Sequence, residues 1–320
     1  MGALAVPVVD VGGFRTADPA GRQQVASAFG HALEHTGFVT ITGHGVPREL
    51  VHSLYDCASS FFALPQATKL KYTAPEKTKA RGYLPMGIES VAATLHGRTP
   101  PDLCEALVFA SLQRERSGRG APNYWPEDPP GLAPLVQRYF DAMYGLCQEL
   151  MRVSALALEL PQDHFAEAYR EPGMTLRFVS YPDQPLPPEP GQLRYGAHHD
   201  YGGLTILRQD EAPGGLQICD ANGCWHDVPP HPDSFVINVG ELMSRWTNGR
   251  WRSTLHRVVN PDRSLTGSTR RLSMVAFTGP SGATEVSALP TCVSLDRPAK
   301  FEPVNAQAFV QAKIAASHDL

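Results

Sequence analysis

Residues 195–207 read YGAHHDYGGLTIL, which sets His198, His199 and Asp200 between a glycine-rich turn and a run of β-forming residues. Side chains at i and i+2 of an extended segment share a face, so His198 and Asp200 converge while His199 turns away. Such a pair needs a third ligand. The strand-like run 254–260 supplies His256, which is 256 minus 200, or 56, positions beyond Asp200. Two imidazoles and one carboxylate, with three positions of an octahedron left open, form the facial triad of non-haem Fe(II) chemistry. An HxD triplet alone carries little weight in a chain with 12 histidines, because a polar turn has the same composition.

Downstream residues add weight. In STRRLSMVAF, Arg271 and Ser273 share one strand face. A guanidinium turned inward beside a hydroxyl is costly to bury unless it meets an anion, and its planar fork matches a carboxylate through two parallel hydrogen bonds. The alternative for Arg271 is a surface salt bridge, and its neighbour Arg270 is the residue expected to face solvent. Tyr181, which ends the strand LRFVSYP, offers a phenolic donor.

These groups need a scaffold. From Met174 onward the chain breaks into short β-rich segments at 175–181, 204–208, 216–219, 225–228, 234–239, 254–259 and 271–278. That many short strands predicts a barrel or double-sheet sandwich over residues 174–280. Asn222-Gly223 reads as a two-residue hairpin turn within it. Residues 1–173 are mainly helical. After a strand at 8–11, Asp18 and Pro19 provide an N-cap and a first-turn proline, and Gly37 stops that helix before the β-rich 38–42. Further helices are expected at 47–62, at 132–160 on an apolar stripe through Val136, Phe140 and Met143, and at 305–316 in a C-terminal extension, 281–320. Between Lys69 and Pro130 the periodicity dissolves, apart from the apolar run 106–112, and this stretch reads as a lid over the site. The whole is expected to be a single domain.

The 320 residues are 42% hydrophobic, enough to bury a substantial core, and the formal net charge is -4 with no basic block. Nucleic acid and anionic membrane are therefore poor partners, and no obligate protein partner is evident. The N-terminal MGALAVPVVDVGG lacks a basic leader and a long apolar run, and six scattered cysteines fit free thiols, so a cytoplasmic location is expected. Cys219, Cys224 and His226 cluster like zinc ligands, yet they straddle one hairpin and lack a fourth partner. The proline-rich DQPLPPEPGQ reads as a stiff connection into the metal-binding strand rather than as an adaptor ligand.

With these residues assembled, nearly the whole chain resembles the isopenicillin N synthase-like iron/2-oxoglutarate-dependent oxygenases. The ordered matches are PVVDVGGF, HTGFVTITGHGVP, RGYLPMGIES, LRFVSYP, AHHDYGGLTIL, GGLQICDANGCWHDVPP, FVINVGELMSRWTNGRWRSTLHRVV and RRLSMVAF. The resemblance implies a mainly β fold with supporting helices, built on a distorted double-stranded β-helix, the cupin-like jelly roll. It implies Fe(II) on His198, Asp200 and His256, and 2-oxoglutarate gripped at its distal carboxylate by Arg271 and Ser273. Tyr181 matches the tyrosine of the family's NYYP stretch, from which Val179 and Ser180 depart. Glu241 stands where the family commonly has Asp, and Cys104 replaces a common lysine in DLCEALVF. The activity implied uses O2 to convert 2-oxoglutarate to succinate and CO2 while a small organic molecule is oxidised. Asp200 speaks against halogenation and leaves hydroxylation, desaturation or ring closure. A composition rich in Ala, Gly, Pro and Arg points to bacterial secondary metabolism as the setting.

The period-2 rule extends the inward face from Tyr181 to Val179 and Arg177, and from Arg271 and Ser273 to Val275 and Phe277. Matching positions touch substrate in the family. Arg177 is expected either to pair with an acidic or carbonyl group of the substrate or to form a structural salt bridge. Phe277 is expected to pack on the substrate skeleton, with Val108 as a third contact. No acid or base apart from the iron centre is assigned. Two other readings stay open. One is an iron oxidase of the same fold that does not use 2-oxoglutarate, and the other is an inactive binding protein, against which the intact ligand set argues.

Overall fold

Alternation along the strands builds the molecule. In β12 (Arg271–Gly279), Leu272, Met274 and Ala276 are buried in the main apolar core, so Arg271, Ser273, Val275 and Phe277 point to the other face of the sheet. The computed structural model describes residues 4–74, 81–97, 99–110, 112–118 and 122–318. Eight strands form the major sheet in the spatial order β1 (Val8–Asp10), β2 (Phe38–Thr42), β10 (Phe235–Val239), β7 (Leu204–Arg208), β12, β5 (Gly173–Tyr181), β4 (Glu105–Ala110) and β3 (Gly82–Leu84). Four more form a minor sheet in the order β6 (Tyr195–His198), β11 (His256–Val258), β8 (Leu216–Cys219) and β9 (Trp225–Asp227). Two small apolar clusters join the sheets. Phe38 and Val236 of the major sheet meet Leu216 and Ile218 of the minor one, and Val179 and Tyr181 meet Val258.

Helices Pro19–His35, Arg48–Ala63 and Leu132–Ala157 cover the outer face of the major sheet, contributing Phe29, Leu54, Phe61 and Phe140 to one core with Ile41, Phe178 and Ile237. The first begins as its sequence dictates, with the Asp18 carboxylate accepting the Gly21 N–H at 2.8 Å and proline in the first turn. It ends before Gly37, whose φ is +71° and where a Cβ would lie 2.3 Å from the Arg252 carbonyl oxygen. The long helix stops at Ala157 instead of 160, since Glu159 takes a left-handed φ of 61° and Leu160 N–H returns to the Ala155 carbonyl. The C-terminal helix runs Ala306–His318. Among the described residues no helix is long and apolar enough to cross a membrane.

Two expectations need correction. The span 69–130 contains β3 and β4 of the major sheet, the latter paired with β5 at six register positions. β4 is buried on both faces from Glu105 to Phe109, so it lacks the apolar–polar alternation that marks a half-buried strand. Residues 75–80, 98, 111 and 119–121 of that span lie outside the described residues. The β8–β9 turn is also longer than two residues. Cys219 pairs with Trp225, Gly223 N–H bonds the Asp220 carbonyl, and Gly223 has a φ of 81°, which is a turn closed by a glycine bulge.

The outer face also carries a buried polar network. Lys69 Nζ donates to Glu105 Oε2 at 2.6 Å and to the Phe62 carbonyl at 3.0 Å, and Tyr83 Oη donates to the same Glu105 oxygen at 2.5 Å. It ties the segment after the second helix to the β3–β4 edge.

Candidate metal centre

A bulge positions the first ligand. β6 and β11 pair His198 with His256 and Tyr195 with Val258, so three steps on β6 face two on β11. Tyr195 and His198, which simple alternation would send to opposite faces, therefore both face inward. Their rings meet edge to face at 4.9 Å. Asp200 follows on a turn held by backbone bonds: Glu241 N–H to the Asp200 carbonyl at 2.7 Å, Gly203 N–H to Thr278 at 2.6 Å and Gly240 N–H to Gly203 at 2.7 Å. A Cβ at Gly202 would sit 2.6 Å from the Thr278 carbonyl oxygen, which explains the glycine in the turn as a steric requirement.

His198, Asp200 and His256 are buried, and their ligand atoms all lie within 4.8 Å of one another. Asp200 Oδ1 is 3.5 Å from His198 Nε2 and 3.7 Å from His256 Nε2. Each imidazole is oriented from behind, His198 Nδ1 lying 2.9 Å from the Gly196 carbonyl and His256 Nδ1 3.0 Å from the Thr254 carbonyl. Those bonds place the proton on Nδ1 and leave both Nε2 lone pairs free for a metal. Asp200 Oδ2 accepts from Thr205 Oγ1 and Asn238 Nδ2, each at 2.6 Å. Burial opposes ionisation of Asp200, but His256, His198 and the Thr205 hydrogen bond outweigh it and hold the carboxyl below the usual range. Burial, then the neighbouring His198, pushes the His256 pKa down to about 4. The donor set fits a divalent transition metal: two neutral imidazoles, one carboxylate, and supported second atoms on all three.

Among the described residues, no other group of three His, Cys, Asp or Glu side chains converges in this way. His199 is directed elsewhere, its Nδ1 lying 3.4 Å from Ser253 Oγ. At the β8–β9 turn both ring nitrogens of His226 are engaged, one with Asp220 at 2.9 Å and the other with the Leu4 N–H at 3.2 Å, so the hairpin offers no zinc set.

The inward face of the major sheet also carries a buried cationic cluster. Arg271 is 3% exposed and donates from Nη1 to the Asp210 and Ala212 carbonyls at 2.9 and 3.1 Å and from Nη2 to Gln209 Oε1 at 3.0 Å. Its Nε has no partner. None of these acceptors is a carboxylate; the nearby Asp210 carboxylate instead accepts from Tyr55, Ala212 N–H and Leu272 N–H, and burial pulls the Arg271 pKa down against its field. Tyr181 stands directly across from Arg271 on β5, and Val179 across from Ser273. Arg270 is the exposed neighbour and lies 3.4 Å from Asp183. Arg194 joins the cluster without having been anticipated. It is fully buried, donates to the carbonyls of Pro213 and Thr269, sits 6.0 Å from the Tyr181 ring and also has an unpartnered Nε. Burial, and secondarily the charge of Arg271, lowers its pKa to about 10. Two buried guanidiniums that hydrogen-bond no carboxylate fit the distal carboxylate of 2-oxoglutarate.

Further along the same strands Arg177 lies opposite Val108 on one side and Val275 on the other. Its guanidinium makes a two-pronged ion pair with Glu89, Nη1 to Oε1 at 3.0 Å and Nη2 to Oε2. Of the two alternatives read for Arg177, the structural ion pair is therefore present, and its carbon lies 5.5 Å from the Tyr195 ring. Val108 is buried with Leu84 and Ala106, and Phe277 is half-buried opposite Thr175 and Thr205. A cavity of about 300 Å³ opens alongside β6, lined by Ala92, Asp102, Gly196, Trp225 and Arg257 among others. Asp102 accepts the Gly196 and Val91 N–H groups at 2.8 and 2.9 Å, and burial pushes its pKa up to about 6. Asn238, Thr205, Tyr195, Arg194 and Glu89 were all missed in the sequence; only Asn238, a polar residue inside the apolar run FVINV, carried a visible signal.

Comparison with known proteins fits this geometry. Residues 170–280 match the model of the 2OG-Fe(II) oxygenase superfamily, and residues 6–128 match that of the non-haem dioxygenase in morphine synthesis N-terminal region. The 2-oxoglutarate-Fe(II) type oxidoreductase hxnY of Emericella nidulans is 31% identical, over 99% of this chain and 92% of its own length. The chain belongs to the 2-oxoglutarate-Fe(II) oxygenase superfamily. This oxygenase is also 29% identical to a homoarginine-6-hydroxylase of Glycine max, over 90% of this chain and 89% of that one. Its fold matches that of a full-length Neurospora crassa protein crystallised in complex with alpha-KG and thymine, with a TM-score of 0.88, 28% identity and coverage of 98% and 97%. The jelly-roll class expected from the sequence holds, and the enzyme is an Fe(II)- and 2-oxoglutarate-dependent dioxygenase.

Proposed function

We propose that His198, Asp200 and His256 hold Fe(II), that Arg271, Ser273 and Tyr181 hold 2-oxoglutarate, and that the enzyme hydroxylates, desaturates or cyclises a small organic molecule. The observation that carries this reading is the buried Arg271 guanidinium, hydrogen-bonded to neutral acceptors and to no carboxylate, on the inward face of the major sheet. Bound there, iron and 2-oxoglutarate supply the oxidising power, with O2 consumed and succinate and CO2 released. The chain supplies position. The Gly196 and Thr254 carbonyls fix both imidazole tautomers, and Thr205 and Asn238 occupy one oxygen of Asp200 so that the other faces the metal. Arg271 and Arg194 attract the distal carboxylate, and the Val179, Tyr181 and Val258 cluster keeps water from that end.

A small-molecule substrate is supported by the relatives, whose names include homoarginine hydroxylases and whose structures include a thymine complex. Val108 and Phe277 are the apolar contacts we assign to it. Composition supports a bacterial biosynthetic setting, while the relatives compared above are fungal and plant.

The test is O2 uptake by the iron-loaded enzyme with and without 2-oxoglutarate. Uptake that requires 2-oxoglutarate and yields equimolar succinate is expected. Uptake that proceeds without it would favour the oxidase reading.

A further inference from the structure

We infer that the substrate end of this site recognises a neutral carbonyl, as in an amide, lactam or imide, and discriminates against a free carboxylate, because Glu89 already balances the charge of Arg177. The inference rests on the assignment above of iron and 2-oxoglutarate to their residues.

Arg177 and Arg271 mark two ends of one inward face. On β12 the residue opposite Arg177 is Val275, four positions from Arg271, or roughly 13 Å along an extended strand. Arg177 is linked to the metal centre by a single ring, its guanidinium carbon lying 5.5 Å from the Tyr195 ring, which meets the His198 ring at 4.9 Å. The two guanidiniums differ in what they face. Arg271 has only neutral acceptors, which suits an incoming anion. Arg177 has its end-on fork filled by a carboxylate.

What Arg177 still offers is the side edge of the guanidinium. Its Nε is buried and has no hydrogen-bond partner. A carbonyl oxygen would satisfy that donor and bring no charge. A substrate carboxylate would meet a pair of zero net charge, beside the carboxylate of Glu89 and within the field of Asp102, so its desolvation would go uncompensated. Cys104, also close, has its thiol pushed well up by burial and so stays neutral.

The experiment loads the protein anaerobically with Fe(II) and 2-oxoglutarate and follows the weak visible charge-transfer band as probes are added. The probes are thymine and two matched pairs, benzamide against benzoate and indole-3-acetamide against indole-3-acetate. In the wild type, the neutral probes are expected to perturb the band at concentrations at least ten-fold below those of the acids. In Glu89→Gln, which frees the charge of Arg177, the amide-to-acid preference is expected to shift at least ten-fold toward the acids, with iron stoichiometry and 2-oxoglutarate affinity unchanged. Should Glu89→Gln fail to fold, Arg177→Gln is expected to lose affinity for neutral probes while retaining the band. Acid preference in the wild type, an unshifted ratio in the variant, or failure of every neutral probe to perturb the band would each overturn the inference. Absence of the band before any probe is added would instead strike the underlying assignment.

Discussion

Glu105 and Arg271 are buried on opposite faces of one sheet, and their hydrogen bonding differs in kind. Glu105 points to the helices, where Lys69 and Tyr83 both bond its Oε2, so the charge is paired and the site is closed. Arg271 points to the minor sheet, where it meets two carbonyls and an amide and leaves Nε idle. Both groups are buried, so the difference lies in what completes them. The outer face is completed by the chain itself. The inner face, with Arg194 as a second guanidinium that hydrogen-bonds no carboxylate and three candidate metal-binding atoms within 4.8 Å of one another, is left open to something bound.

That contrast can be broken at several places. The largest effect is expected from His256→Ala or His198→Ala, which removes a ligand outright: Fe(II) affinity measured by anaerobic titration should fall more than ~100-fold, beyond what supporting residues contribute. Lys69→Met strands Glu105 without its partner and should destabilise the fold by about 3–5 kcal/mol in urea, with iron affinity of the folded fraction intact. The double variant with Glu105→Leu should recover most of that loss. Arg271→Gln belongs to the other face. Losing charged hydrogen bonds worth about 2–3 kcal/mol, it should raise the 2-oxoglutarate Kd ~30- to 150-fold while stability holds or rises. Asn238→Ala removes one of the two donors to Asp200 Oδ2 and should weaken Fe(II) by about 10- to 100-fold. His199→Ala should leave iron stoichiometry unchanged, because its ring is turned toward Ser253.

What was legible in the sequence follows the same division. The triad could be read because the i and i+2 spacing brings Asp200, on the turn after β6, beside His198, and because His256 sits in a run of strand formers; most strands of residues 174–280 announced themselves by their spacing. β3 and β4 did not, since a strand buried on both faces has no alternation to detect. Tyr195 was hidden by the bulge that turns it inward. Glu89 and Arg194 lay in segments rich in proline and glycine, and their partners are distant in the chain: Arg177 is 88 positions from Glu89, and Thr269 is 75 from Arg194. Thr205 and Asn238 read as members of apolar strands, and only the fold brings both to Asp200. Local pattern thus picked out the three side chains that the fold brings together, whereas the residues that hold or balance them depend on pairings that only the folded chain makes.

The central claim is that the inward face binds iron on His198, Asp200 and His256 and 2-oxoglutarate on Arg271. Anaerobic titration of wild-type and Arg271→Gln protein, first with Fe(II) and then with 2-oxoglutarate, tests it most directly. The account predicts one iron per chain in both, with the charge-transfer band requiring ~30-fold or more additional 2-oxoglutarate in the variant. A band that forms at the same 2-oxoglutarate concentration in both proteins, or that never forms in the wild type, would contradict it.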